Sequence, residues 1–271
     1  MEYHIIEKNE EGAMQKSLGL VGGGRLARIL LGGLKQAGVF PEEVTVSDVN
    51  GEALEKLKAL FPAINVSLQD NSRAFSADYV FLAVPPGLLL QVASESRENL
   101  KKSAVVFSPA PGITISRISE ALSGFRRIVR VIPNAPSIIG FGFNPVAFSG
   151  AFSKKEREEI LSWLLALGEC PEVPEDHLEA YAILTAMGPT YFWFQLEELS
   201  KLGQSFGLEK EEVEKGLLKM IEGSVRVLFQ SGLGGEGVLD LIPSKPLKDS
   251  EETIREIYRS MLGTLYQKMR K

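Results

Sequence analysis

Apolar and polar positions follow two rhythms in the first half of the chain. Short apolar runs stand at 17–22, 43–48, 78–84, 104–108 and 127–132, each long enough for one strand. Between them, 25–37, 51–60, 87–99 and 114–122 carry apolar residues at helical spacing. Strand then helix, repeated, predicts an α/β fold with a doubly wound, mostly parallel sheet and helices on both faces. The run Asp78-Tyr-Val-Phe-Leu-Ala-Val84 is nearly all apolar, as a central strand covered on both sides requires. Its exit, Val84-Pro85-Pro86, lies at a carboxyl edge, where such sheets bind ligands. A further strand at about 144–149 and a helix over 153–167 extend this region. The charged run Ser153-Lys-Lys-Glu-Arg-Glu-Glu159 reads as a capped, solvated helix start.

The rhythm changes at Gly168-Glu-Cys-Pro-Glu-Val-Pro-Glu175, whose two prolines mark a boundary. Beyond it only helical periodicity remains, over 176–206 with a kink at Pro189, then 209–230 and 250–268. Val225, Leu228 and Phe229 form an i, i+3, i+4 stripe that reads as core. Ser231-Gly-Leu-Gly-Gly-Glu-Gly237 reads as a flexible loop between helices. A helical region this short is marginal alone and is expected to find further burial in a partner subunit.

The first strand runs into Val21-Gly-Gly-Gly-Arg-Leu-Ala27. Gly22, Gly24 and Ala27 fit the dinucleotide form G-x-G-x-x-A between a strand and a helix. Gly22 allows the tight turn, Gly24 lets the backbone approach a pyrophosphate, and Ala27 keeps the helix near the sheet. The helix N-terminus offers free N–H groups and partial positive charge to the phosphates. Asp48 closes the second strand where an acidic residue holds an adenosine ribose; taken alone it reads equally as a capping or turn aspartate. Its carboxylate favours NAD, and neither Val49 nor Asn50 offers a cation to a 2′-phosphate. Arg25, in the glycine turn, is placed to reach that phosphate, so the cofactor is NADP or NAD. The chain is therefore divided into a polar tail at 1–16, a dinucleotide-binding Rossmann domain at 17–174 and an all-α domain at 175–271.

Composition narrows the chemistry. With 271 residues, 44% hydrophobic and 24% charged, the chain is an ordinary globular one with room for two modest domains. A net charge of −5 argues against a nucleic-acid or anionic-membrane partner. No run approaches the roughly 18 apolar residues of a membrane span, and the N-terminus lacks the order of a secretion signal. A cytoplasmic protein is expected. The single cysteine, Cys170, forbids an internal disulfide and reads as a small buried residue. The histidines are His4, in the tail, and His177, at a helix start. A histidine triad or a metal site is not expected, and a cofactor should carry the difficult chemistry.

Further segments stand out at Asp70-Asn71, Val129-Arg-Val-Ile-Pro-Asn-Ala-Pro136 and Leu184-Thr-Ala-Met-Gly-Pro-Thr-Tyr191, and with the glycine turn they make the chain, from about residue 17 onward, resemble the pyrroline-5-carboxylate reductase family. Gly22-Gly-Gly-Arg-Leu-Ala27 is similar to that family's G-x-G-x-M-A turn, Val46-Ser-Asp48 to its second strand end, and Asp70-Asn71 to its Asp-Asn pair. Phe81-Leu-Ala-Val-Pro85 resembles F-L-A-V-K-P, and Val129-Arg-Val-Ile-Pro-Asn-Ala-Pro136 resembles V-R-V-M-P-N-T-P. Leu184-Thr-Ala-Met-Gly-Pro-Thr-Tyr191 resembles L-S-G-S-G-P-A-Y.

The resemblance implies a Rossmann domain followed by a helical dimerisation domain, in a homodimer or higher homo-oligomer. It implies hydride transfer from NAD(P)H to the C=N carbon of Δ1-pyrroline-5-carboxylate, giving L-proline. The pyrophosphate would lie on Gly22, Gly23, Gly24, Arg25 and Leu26. The adenosine side would meet Ser47, Asp48 and Asn71, and the nicotinamide Ala83, Val84, Pro85 and Pro86. Pro133 and Asn134 would orient the ring and its carboxamide, although Asn134 also reads as a turn residue before Ala135-Pro136. Gly188 and Pro189 would form the far wall of the substrate pocket. A hydroxyl from Thr185 or Thr190, or water, would protonate the nitrogen.

Two departures stand out. Met187 replaces a serine of the Gly-Pro motif. The family's D-A-V-T-S-P-G-G-T-T loop, whose N–H groups and threonine hydroxyl hold the substrate carboxylate, corresponds to Asp240-Leu-Ile-Pro-Ser-Lys-Pro-Leu-Lys-Asp249. Ser244 alone survives from its middle. Prolines remove donors and restrict φ, so the old carboxylate nest is not expected to form. Lys245 or Lys248 either supplies a replacement charge or is a surface lysine. Two further readings therefore stay open: a reductase of another small imine or keto acid, and a dinucleotide-binding sensor or interaction partner without this catalysis.

Overall fold

The computed structural model describes residues 16–270, so His4 and nearly all of the expected tail lie outside the described residues. The chain forms two compact units, the second spanning Met187–Lys268 and the first comprising the described residues up to Ala186 together with Met269 and Arg270.

In the first unit, the glycine turn links β1 (Leu18–Val21) to α1 (Arg25–Gln36), and β2 (Val44–Asp48) leads to α2 (Gly51–Leu60). Then come β3 (Asn65–Leu68), the single turn α3 (Ser72–Phe75), β4 (Tyr79–Leu82) and α4 (Pro86–Ser96). They are followed by β5 (Val105–Ser108), α5 (Ile115–Ala121), β6 (Ile128–Val131), β7 (Gly142–Phe143), β8 (Val146–Phe148), α6 (Lys154–Leu164) and β9 (Gly168–Glu169). The main sheet has seven strands in the order β3-β2-β1-β4-β5-β6-β8. All neighbours pair parallel except β6 and β8. β1 pairs with both β2 and β4, Leu18 opposing Val44 and Tyr79. The strand order reverses there, which makes a doubly wound sheet with its switch point at the glycine turn.

Alternation along the strands sends Leu18, Leu20, Tyr79 and Phe81 to one face, against Leu30, Leu34, Leu54, Leu57 and Trp163. Val21, Val80 and Leu82 go to the other, against Leu89, Ala93 and Ile118. β3, absent from the hydrophobic reading, is an edge strand with Val66 and Leu68 exposed. The start of α6 is a capping box in which Ser153 and Glu156 bond each other's backbone N–H.

The first unit continues past the proline boundary, through α7 (Leu178–Tyr181) and a π-helical turn at Ala182–Ala186. Arg130 explains why. Only 1% exposed, its guanidinium bonds Glu179 at 2.7 Å, Glu175 at 3.1 Å and the Ala110 carbonyl at 3.3 Å. Glu175 also accepts from the N–H of Ile115, and Glu179 from that of Gly112. Burial works to raise the Glu179 carboxyl, but the hydrogen bond and charge of Arg130 hold it below its ordinary value.

The second unit contains α8 (Pro189–Ser205), α9 (Lys210–Gln230), α10 (Gly234–Asp240) and α11 (Lys248–Met269). Three expectations are corrected here. The segment 176–206 is not one helix kinked at Pro189: Pro189 opens α8 at its first turn, where the missing N–H costs nothing. The glycine-rich stretch after Ser231 folds into α10. Val225, Leu228 and Phe229 are exposed rather than core. Val213 is the buried hydrophobic residue of this unit, packed where α9 passes Gly203 of α8.

Candidate functional site

Gly22 occupies the left-handed region at φ +112, and a Cβ there would stand 2.6 Å from the Ala83 carbonyl oxygen. Glycine is thus required twice, by conformation and by the approach of the β4 exit to the β1 exit. The Gly22 N–H donates to the Ser47 carbonyl at 2.7 Å. The Gly23 N–H donates to Asp48 Oδ2 at 2.7 Å, and that of Asn50 to Asp48 Oδ1 at 2.8 Å. Asp48 is therefore a brace for the turn, a role its strand-end position does not disclose. Ser47 and Asn71 are joined by a hydroxyl donated to Asn71 Oδ1 at 2.7 Å.

Gly24 caps α1 without any side-chain acceptor, and the first turn of α1 carries no acidic residue. A Cβ at Gly24 would meet nothing within 4 Å, and both Gly24 and Arg25 are exposed. Ala27, fully buried, seats the helix on the core. The result is an uncapped N-terminus with unobstructed space above it, which fits a pyrophosphate by donor type and by room. At the neighbouring β4 exit, Ala83 and Val84 are half-buried, and Pro85 and Pro86 are exposed at the start of α4.

Asn134 is otherwise engaged. Its Oδ1 accepts from Ser137 Oγ and the Phe143 N–H, and its Nδ2 donates to the Thr185 carbonyl, each at 3.3 Å. Asn144, fully buried, accepts the Asn134 N–H at 3.2 Å and the Ser137 hydroxyl at 2.6 Å. These residues tie the Pro133-Asn134 segment to the π-helical turn that carries Thr185. Ser137 and Asn144 had no local sequence signal, because their partners lie in other elements. Thr185 Oγ donates to the Tyr181 carbonyl at 2.8 Å, and Thr190 Oγ to that of Met187 at 2.6 Å. Both hydroxyl protons are held by backbone, which leaves these oxygens as acceptors.

In the second unit, Gly188 is buried and Pro189 half-buried at the start of α8. Ser244 lines a concavity of about 930 Å³ together with Phe192, Lys245, Leu247, Lys248 and Tyr258. Of the other charges on that wall, Arg255 pairs with Glu251 and Arg259 with Glu252. Lys245 and Lys248 enter no ion pair among the described residues. Cys170 is buried and bonded to Asn144, and burial pushes its thiol up to about 12, so it stays a neutral thiol. Among the described residues no cluster of His, Cys, Asp and Glu could hold a metal ion. No described helix is long and apolar enough to cross a membrane.

Residues 17–112 match the family described as NADP oxidoreductase, coenzyme F420-dependent. The pyrroline-5-carboxylate reductase of Corynebacterium melassecola is 29% identical over 256 residues, covering 93% of this chain and 94% of its own. The Escherichia coli K12 enzyme of the same name is 25% identical over 232 residues, 85% of this chain and 86% of its own. A Plasmodium falciparum pyrroline carboxylate reductase structure with NADP bound superposes with a TM-score of 0.80 at 20% identity, over 94% of this chain and 97% of that one. A pyrroline-5-carboxylate reductase from Coxiella burnetii gives 0.70 at 26% identity, with the same coverage.

Proposed function

We infer that this chain belongs to the pyrroline-5-carboxylate reductase family and reduces the C=N bond of Δ1-pyrroline-5-carboxylate to give L-proline. The observation that carries this reading is the braced glycine turn under an uncapped helix N-terminus, in a chain whose likeness to the curated reductases runs nearly end to end. A nicotinamide cofactor, when bound, supplies the hydride. The imine carbon takes that hydride and the nitrogen takes a proton, so the C=N bond becomes C–N with N–H.

Such a carbon is already electrophilic, and positioning alone is worth up to about 7–11 kcal/mol. The chain's work is therefore to hold two reactants. We assign the pyrophosphate to the N–H groups of Gly24, Arg25 and Leu26, with Gly22 and Gly23 shaping the turn beneath them through their bonds to Ser47 and Asp48, and the adenosine to Ser47, Asp48 and Asn71. Ala83, Val84, Pro85, Pro86 and Pro133 flank the nicotinamide. Asn134 acts by fixing the Pro133 segment and Thr185, since its side chain is bonded internally. Gly188, Pro189 and Ser244 meet the substrate. Thr185 and Thr190 accept rather than donate, and water supplies the proton. The active form is a homodimer or higher homo-oligomer in the cytoplasm. A second copy would cover the apolar faces of the helical unit, where Phe229 is 76% exposed and Met261 67%.

Oxidation of NADH or NADPH by purified protein with Δ1-pyrroline-5-carboxylate, with proline measured as product, tests the activity. Calorimetric cofactor binding without oxidation would move the protein to the sensor reading, which the rewritten 240–249 loop favours. Light scattering after size exclusion tests the oligomer, and a monomer at micromolar concentration would sink that part.

A further inference from the structure

We propose that Asn144 is a positioning residue for the reduction: acting through Asn134, it holds the Pro133 segment and the turn that carries Thr185 in the geometry that hydride transfer needs. This role rests on the reductase reading above and adds a residue which that reading leaves out.

The need for outside support begins at Thr185. In an α-helix its carbonyl would accept from the N–H four residues on, but that residue is Pro189, which has none. The N–H five residues on, the donor of a π-helical bond, belongs to Thr190 and goes to the Met187 carbonyl at 2.9 Å. Asn134 Nδ2 donates to the Thr185 carbonyl instead, at 3.3 Å. The turn at Ala182–Ala186 is therefore tied to a side chain from another element, and its placement depends on how that side chain is aimed.

Asn144 does the aiming. Its Oδ1 accepts the Asn134 N–H at 3.2 Å and the Ser137 hydroxyl at 2.6 Å. Its Nδ2 donates to the Leu167 carbonyl at 3.2 Å and to Cys170 Sγ at 3.7 Å. A backbone donor on one side and a backbone acceptor on the other leave a single orientation for this amide. The root of the side chain is fixed as well, because the Asn144 N–H donates to the Glu169 carbonyl at 2.7 Å. Gly142 lets these groups close up: a Cβ there would stand 2.1 Å from Ser137 Oγ and 2.6 Å from Asn144 Nδ2. Asn144 and Ser137 are fully buried, where an apolar side chain would cost less to desolvate. What the polar pair supplies is direction, since a fully bonded buried network is rigid and an apolar contact does not orient an amide. A displacement of about 1 Å in a reacting geometry can cost on the order of a hundredfold in rate, so a residue that never touches substrate can still govern turnover.

Steady-state kinetics of the full chain with Δ1-pyrroline-5-carboxylate, alongside calorimetric cofactor binding and melting temperatures, test this role. Asn144→Ala should lower kcat at least tenfold, while cofactor affinity, set mainly at the glycine turn, stays within about threefold of wild type. Cys170→Ala removes a partner from the far end of the same amide; it should lower the melting temperature and leave kcat unchanged. Asn134→Ala combined with Asn144→Ala should be no slower than Asn134→Ala alone, because one residue acts through the other. Should Asn144→Ala not fold, Asn144→Thr serves in its place: one hydroxyl cannot span from the Asn134 N–H to the Leu167 carbonyl, so kcat should still fall severalfold. A wild-type kcat in a folded Asn144 variant, or fully additive losses in the double variant, would overturn the proposal while leaving the reductase reading intact. No oxidation of either cofactor by the wild type would overturn that reading and the proposal together.

Discussion

Under the proposed function, the turn between β1 and α1 and the loop between α10 and α11 both hold negatively charged groups, and they are built on opposite principles. The turn works through backbone: Gly22 at φ +112, an uncapped helix and the Asp48 brace leave donors free in a rigid frame. The loop has Pro243 and Pro246 among exposed residues, and offers the side chains of Ser244 and Lys245, with Lys248 at the start of α11, instead. Backbone donors are placed by the fold and cannot be relocated by one substitution. Side-chain charges on a loop can be exchanged one at a time. Under the proposed function, the turn is the more rigid of the two handles, and the loop depends on side-chain charge. The two halves of the reaction should then separate under mutation.

The largest expected effect falls on the stability of the first unit, which carries the turn. Arg130→Met leaves Glu179 buried without its partner, and loss of one member of a buried ion pair costs about 3–5 kcal/mol. Chemical denaturation should show that loss; a change under about 1 kcal/mol would mean that water replaces the guanidinium freely. The same contact has a pH signature. The Glu179 carboxyl is lowered in the fold from 4.5, so its contribution is complete above that pH and disappears as pH falls through the lowered value. Denaturation midpoints measured down the acid range should fall more steeply in the wild type than in Glu179→Gln.

Gly22→Ala comes next. The new Cβ lies 2.6 Å from the Ala83 carbonyl oxygen in a left-handed backbone, and strain of this kind is worth about 1–3 kcal/mol before any clash. Cofactor affinity should collapse, and calorimetry showing wild-type affinity would break the comparison outright. Lys245→Met with Lys248→Met should raise the KM for Δ1-pyrroline-5-carboxylate about tenfold, the equivalent of roughly 1.4 kcal/mol, and leave cofactor affinity untouched. An unchanged KM would reduce both residues to surface lysines. Gly24→Ala sharpens the contrast at the small end. With nothing within 4 Å and an ordinary φ of −81, the fold should not notice, while cofactor affinity falls severalfold because the methyl group enters the phosphate space.

The cofactor frame was legible because its signals are local. Five apolar runs became β1, β2, β4, β5 and β6, and the glycine form became the turn at the switch point. β3 escaped because an edge strand with Asn65, Val66 and Leu68 exposed carries no buried-face pattern. α10 escaped because three glycines outweigh the apolar residues of a seven-residue helix. Pro189 misled because proline inside a periodic stretch reads as a kink, whereas here it opens a helix. At the site, Gly22 and Gly24 were readable from spacing. The bonds that hold Asn134 were not, since Asn144 and Thr185 reach it from separate elements.

The sequence by itself determined the alternation of strands and helices, the glycine turn and the acidic residue at the second strand end. Those depend on periodicity and on glycine's own conformational freedom, which act over a few residues. Only the tertiary structure decided that Asp48 braces Gly23, that Arg130 carries residues 175–186 with the sheet, and that Asn134 is an internal anchor. A hydrogen bond or ion pair between distant residues leaves no periodic trace, because its partners are joined by the packing of elements and not by their order along the chain.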